Sequence, residues 1–182
     1  MRRLHTVVLF TLAACLTLMA TLPMLRTAAA QAKSGTILKA GEITPQIFPE
    51  RVFYQGKTAP TEMRNTAGVR FAGSAYFLAG LVDSSGYSTA VKSKYQAYML
   101  SEVPLRFGDK GEDELKPGAY GAGFVGGSFV ISDLGAHDLF RVAAHHDDQI
   151  KRPVPLQILP GSTAGTYRLY RGRDYVEFRS AD

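Results

Sequence analysis

Cysteine is all but missing from this 182-residue sequence: Cys15 is the only one, and tryptophan does not occur. A single cysteine so near the start leaves the rest of the chain with no disulfide, no thiolate nucleophile and no cysteine metal site. A large excess of one charge sign is missing too. The 21 basic and 16 acidic residues give a formal net charge of +5, and no basic run is interleaved with aromatic residues, so nucleic acid is not an expected partner. The sequence has no H-E-x-x-H, no Walker loop, no G-x-S-x-G elbow and no G-x-G-x-x-G motif opening a helix. Gly121-Ala122-Gly123 falls within a strand pattern and should not cradle phosphate. No cofactor is expected, and the fold must be held by its apolar core.

The first residues have an export pattern. Arg2 and Arg3 precede an apolar run over 6–25, and Ala30-Gln31-Ala32 is a small-residue cleavage site. The pattern predicts a signal peptide over 1–32, cleaved before Lys33, and hence a secreted or periplasmic protein. Two other readings stay open. The run is about long enough to span a bilayer as an uncleaved anchor. Leu12-Ala13-Ala14-Cys15 is lipobox-like, although the chain stays apolar after the cysteine. A membrane partner is expected only if this segment is retained. Its loss removes Arg2, Arg3 and Arg26, leaving 18 basic against the 16 acidic residues, a net charge of about +2. The remainder, 33–182, is long enough for a single domain with its own core.

That remainder reads as all-β. Residues 115–133, LKPGAYGAGFVGGSFVISD, form a hairpin pattern: a turn at Pro117-Gly118, a strand over 119–125, a Gly126-Gly127 turn and a strand over 128–133. Tyr120, Ala122 and Phe124 share one face. Ala119, Gly121, Gly123 and Val125 share the other, which is nearly bare and needs a backbone, an aromatic ring or a ligand packed close against it. Residues 33–36 read as a loose tail, 37–48 as an irregular edge strand, 51–55 as a strand and 57–65 as a polar loop. The runs 69–72 and 75–82 form a second hairpin, with 75–82 central because it is apolar on both faces. Residues 94–107 alternate and predict a long strand bent near Pro104. The charged stretch 109–114 reads as a solvated loop, with calcium disfavoured by its spacing. Strands follow over 138–144 and 154–159, the latter an edge strand because of Pro155. A last hairpin, 166–170 and 174–179, turns at 171–173. Turn signals about every 8–12 residues predict a mostly antiparallel β-sandwich of about 8–10 strands, or alternatively a closed β-barrel with an interior pocket.

The segments LKPGAY at 115–120 and STAGTYRLY at 162–170 resemble the turn-then-strand motif, small-x-Gly-x-Tyr, of secreted bacterial β-sandwich modules. These include transthyretin-like and carboxypeptidase-regulatory-like domains. The resemblance covers those two segments, implies a sandwich, and brings no active-site residues with it.

Two groups of side chains have chemical potential. His137 and Asp138, with His145, His146, Asp147 and Asp148, form the one dense set of possible metal ligands. A strand over 138–144 would separate the two halves by roughly 20 Å at about 3.3 Å per residue, and adjacent His145 and His146 would point opposite ways. His137, His145, His146 and Asp147 are therefore candidate ligands, against ordinary loop polarity. Tyr95, Tyr98, Tyr120 and Tyr167 are candidates for lining a pocket or groove, against core packing. Arg168, Arg171, Arg173 and Arg179 form a basic stripe, read as a solvated face or as a contact for an anionic partner. Three functions follow. The first is a non-catalytic exported module binding a small molecule, a glycan or an envelope partner. The second is a metal- or histidine-dependent enzyme using His137, His145 or His146. The third is an assembly protein acting through edge strands such as 154–159.

Overall fold

The computed structural model describes residues 35–111 and 113–181. The predicted signal over 1–32, with Cys15, lies outside the described residues. In chain order the strands are β1 (Thr36–Lys39), β2 (Arg51–Tyr54), β3 (Lys57–Arg70), β4 (Tyr76–Val82), β5 (Ala97–Ser101), β6 (Leu105–Phe107) and β7 (Asp113–Leu115). They continue with β8 (Gly118–Val125), β9 (Ser128–Ser132), β10 (Asp138–Ala143), β11 (His145–His146), β12 (Gln157–Pro160), β13 (Thr166–Arg171) and β14 (Asp174–Ser180). One short helix, α1 (Thr89–Lys94), precedes β5. The strands form two antiparallel sheets. The larger runs β1-β3-β4-β5-β8-β9-β10, with β2 beside the first part of β3. The smaller runs β12-β13-β14-β6-β7, with β11 also paired to β14. The fold is all-β and sandwich-like, and neither sheet closes into a barrel.

The inward faces of the two sheets make the main core. Val69, Phe77, Ala79, Met99, Ala122, Phe129 and Ile131 from the large sheet meet Leu105, Phe107, Leu169, Val176 and Phe178 from the small one. Phe77 and Phe178 pack edge to face at 4.8 Å across it. Each buried aromatic of this kind contributes roughly 3–5 kcal/mol, the cost of truncating it to alanine.

The large sheet is buried on its other face as well. One cross-strand row there runs Thr66, Gly80, Tyr98, Gly121, Ser132. The two glycines leave notches on either side of Tyr98. Phe48 fills the first: a Cβ on Gly80 would stand 2.6 Å from its ring. Tyr54 fills the second: a Cβ on Gly121 would stand 2.5 Å from its ring. The Tyr54 hydroxyl donates to Ser132 Oγ at 2.7 Å, and the Ser132 hydroxyl donates to the Gly121 carbonyl at 3.2 Å. Tyr95 stacks on Tyr54 at 3.8 Å. Tyr87 donates to the carbonyls of Tyr54 and Lys57, closing the β2–β3 turn. A Cβ on Gly123 would meet the Lys94 carbonyl, the end of α1, at 2.5 Å. The bare face of the 119–125 strand is thus covered by aromatic rings and by backbone, on the side away from the small sheet.

Most predicted strands are present. The Gly126-Gly127 turn has φ +57 and +76, the left-handed pair that a two-residue hairpin turn demands. β4 is central as its two apolar faces require, and β12 is an edge. Several expectations change. Fourteen strands are present among the described residues instead of 8–10. The expected 37–48 strand ends at Lys39 and gives way to a 3-10 turn and bends, and the expected 154–159 strand begins only at Gln157. Residues 57–65 belong to β3; they are polar because this half of the strand is largely solvent-facing and pairs with β2. The 94–107 strand is a helix end, then β5, then β6 in the other sheet, so the chain changes sheets around Pro104 rather than merely bending. Residues 113–115 form β7 instead of loop, and Thr36 belongs to β1 instead of the tail. Tyr120 does face the main core but is only half-buried. Its ring leans back over Gly118, and its hydroxyl donates to the Lys116 carbonyl at 2.9 Å, the tyrosine-corner arrangement that braces a turn.

Chemical unfolding of single variants tests this ranking. Tyr54→Ala should cost about 3–5 kcal/mol. Gly121→Val should cost about 1–3 kcal/mol through overpacking. Tyr120→Ala should cost clearly less than Tyr54→Ala. A Gly121→Val protein as stable as the parent would show that the notch does not hold Tyr54.

Candidate functional site

The largest opening among the clefts described lies along one side of the sandwich. There β1 and the neighbouring part of β3, the edge of the large sheet, face β12, the edge of the small sheet. The groove has a volume of about 570 Å³ and is bounded by residues 37–40, 64–67 and 154–160. Ile37, Ala67, Leu156, Ile158 and Leu159 form its apolar surface, and Val154, 42% exposed, stands at its mouth. It stays open because both edges are short. β1 and β12 are four residues each, and the loop before β12 carries Pro155. Such breaks keep a sheet edge from zipping to its neighbour.

The groove has direction. The Gly35 amide donates to the Tyr167 hydroxyl, and Tyr167 lies opposite Pro160 in the β12–β13 ladder. The start of β1 is therefore beside Pro160. Roughly 13 Å further on, at about 3.3 Å per residue, Lys39 comes level with the Leu156 end of β12. Arg64 and Asn65 enter at the same end, because a register irregularity between Thr61 and Thr66 breaks the β3 ladder there. Lys39 and Arg64 are exposed and both border the groove, and no acidic residue lines it among the described residues. The nearest carboxylates by sequence are engaged: Glu42 accepts the Lys39 amide at 2.9 Å, and Glu62 accepts the Asn65 side-chain amide at 2.6 Å.

The backbone of β12 offers little to an added strand. Gly161 N–H donates to Thr166 C=O at 2.8 Å. By antiparallel alternation, Gln157 and Leu159 turn their polar groups toward β13, while Ile158 and Pro160 turn theirs outward. Proline has no N–H, so within β12 the outward donor is the Ile158 amide alone.

The tyrosines singled out from the sequence do not ring one pocket. Tyr95 and Tyr98 lie in the aromatic layer over the outer face of the large sheet. Tyr167 lies in the main core, edge-on to Phe71 at 5.9 Å. Tyr120 sits at the β8 turn. None of the four lines the groove. Sequence signals for the groove itself were limited to the edge-strand readings of 37–48 and 154–159; Arg64 carries no motif.

His137 is separated from His145 and His146, which border one cleft of about 230 Å³ with Asp174. His137 pairs with Asp133 at 3.0 Å at one end of β10. His145, beyond the other end, places Nε2 3.0 Å from Asp109 and stacks on Tyr175 at 5.1 Å. His146 turns the other way, with Nδ1 2.6 Å from Asp174 and Nε2 3.5 Å from Asp148. Asp147 accepts from the Tyr170 hydroxyl and the Gln149 amide, which together hold its carboxyl below the usual carboxylate range. Among the described residues no three His, Cys, Asp or Glu side chains converge as a metal site. His145 and Asp109 border a cleft of about 300 Å³ with Lys110, Asp113 and Arg141, and among the described residues no serine, threonine or cysteine lines it for the histidine to activate.

The basic stripe is partly consumed within the fold. Arg168 Nε bonds Glu177 at 3.2 Å and its guanidinium lies 4.7 Å from the Tyr175 ring centroid, while Arg173 donates to the Ile150 carbonyl. Burial alone would raise the Glu177 carboxyl, but bonds from Ser162 and Arg168 outweigh it and hold the group below its ordinary value.

Burial pushes the hydroxyls of Tyr54, Tyr87, Tyr95 and Tyr98 above the ordinary tyrosine value, and the Tyr95 hydroxyl has no hydrogen-bond partner among the described residues. The unfolded chain releases these protons near pH 10 while the folded chain retains them. Their contribution is complete below about pH 10 and is lost as pH rises beyond it. In an alkaline titration, tyrosinate absorbance from this cluster should appear in step with loss of the β-sheet circular dichroism signal. Full tyrosinate formation with the sheet signal intact would contradict the buried layer.

No protein-family model matches this chain, and comparison with curated proteins and with solved structures finds no match.

Proposed function

We propose that this domain is a non-catalytic exported binding module that holds an elongated apolar ligand in the groove between β1, β3 and β12. The observation that carries the reading is the groove itself. Its volume of about 570 Å³ falls within the roughly 300–1,000 Å³ typical of small-ligand sites, and an apolar lining with a few polar groups at one end is the usual composition of such sites. The strand-addition reading has less support, because a strand docking on β12 would find one outward amide donor. The enzyme reading has less support because the histidines are dispersed among local carboxylate partners. Export is supported by the pattern over 1–32, and the likeness of 115–120 and 162–170 to turns of secreted sandwich modules agrees with it.

A solvatochromic apolar dye such as Nile red tests the proposal. The parent protein should bind it at one saturable site, with displacement by decanol. Val154→Glu and Leu159→Glu place a carboxylate at the mouth and wall of the groove and should each weaken binding by about tenfold or more, with the unfolding midpoint little changed for exposed Val154. Absence of saturable binding, or affinity untouched by both substitutions, would overturn the assignment.

A further inference from the structure

We infer that the ligand of this groove is an anionic amphiphile, a chain-like apolar body ending in a carboxylate or phosphate, with its head held by Arg64 and Lys39. The inference rests on the proposed binding role of the groove and adds the head group and its orientation. Three features carry it. First, the groove is polarised: β1 starts beside Pro160 and Tyr167, and both cations enter at the opposite, Leu156 end. Second, the charges have one sign. Lys39 and Arg64 border the cleft and no Asp or Glu among the described residues lines it, so an anion arriving there meets attraction from two cations. Third, the Arg64 guanidinium has no hydrogen bond or ion pair with a described residue. Its planar fork is free to take two oxygens of a carboxylate or phosphate side by side, the geometry in which arginine surpasses lysine.

Local structure explains why the arginine is there. β3 pairs with β2 in its first part and with β1 and β4 in its last part. The register irregularity between Thr61 and Thr66 joins the two parts, and Arg64 lies within it. Lys39 is the last residue of β1, immediately before a 3-10 turn at Ala40–Glu42. An apolar ligand with a neutral head would leave both cations without a partner, and one with a cationic head would be repelled by them.

The test is a head-group series of equal chain length, below micelle-forming concentrations at neutral pH: decanoate, decyl phosphate, decanol and decyltrimethylammonium, each displacing the bound dye. Decanoate and decyl phosphate should bind about tenfold or more tightly than decanol, and decyltrimethylammonium weakest of all. A decanoate-only or phosphate-only preference would identify which anion the Arg64 fork fits; either supports the inference. The preference should shrink with added salt, as expected of partly exposed charges. It should collapse in Arg64→Gln with Lys39→Gln, the anions losing far more affinity than decanol. If decanol binds as tightly as the two anions, the head-group inference fails and the groove stands. If the anions are preferred but the double variant keeps the preference, the assignment to these two side chains fails. If no member of the series binds, the groove reading itself is wrong.

Discussion

Two aromatic rings seated in two glycine notches are the constraint from which much of this structure follows. A sheet that carries Gly80 and Gly121 in one cross-strand row has a face that cannot be covered by its own side chains. Phe48 and Tyr54 supply what the glycines lack. Phe48 comes from the turn before β2 and Tyr54 from the end of β2, which is paired with the first part of β3, so each ring brings its segment across this face. Tyr95, stacked on Tyr54, then fixes where α1 ends and β5 begins. The result is a third layer made of short pieces. None of them has enough core to be stable alone, and they are held by ring-to-backbone contact and a satisfied hydroxyl chain through Ser132.

That layer also shapes the groove on the sandwich edge. The first part of β3 pairs with β2 and its last part with β1 and β4, and the β3–β4 ladder shifts register between Thr61 and Thr66. That shift is where Arg64 and Asn65 reach the groove. On the opposite wall, Pro160 and the single outward donor of Ile158 keep the edge from being extended by pairing. Apolar surface that cannot be zipped closed by backbone bonds remains available to a ligand with no backbone to offer.

Much of the fold was legible in the sequence because it rests on local signals. Gly126-Gly127 between apolar runs specifies its own turn, the two apolar faces of residues 75–82 specify a central strand, and the bare alternation at Gly121 and Gly123 demands a covering group. The failures have a common cause. Lys57–Arg70 looked like a loop over its first half because a solvent-facing strand needs no apolar residues. The 94–107 run hid a change of sheet because alternation continues across Pro104 whichever sheet receives it. Tyr120 shares the inward parity of Ala122 and Phe124 yet is only half-buried, because parity does not report how deeply a ring is set. The groove was the least legible part. Its walls come from three segments far apart in sequence, and its two cations are ordinary surface residues until register brings them to one end. The partners of the histidines were hidden likewise: Asp109 and Asp174 lie far from His145 and His146 in sequence, and proximity in the fold turned a possible ligand cluster into separate pairs.

The change of sheet between β5 and β6 has a consequence for the order of assembly. β6 and β7 are made midway along the chain, yet the neighbour they need is β14, the last strand: Arg106 is paired with Arg179. The small sheet therefore cannot form until nearly the whole polypeptide is present, and until then the inward face of the large sheet has no cover. Pairings of such long sequence separation slow folding, because loop-closure entropy is spent before contacts reward it. In a chain delivered across a membrane N-terminus first, that same delay would keep the second sheet from closing on the chain while it is still in transit.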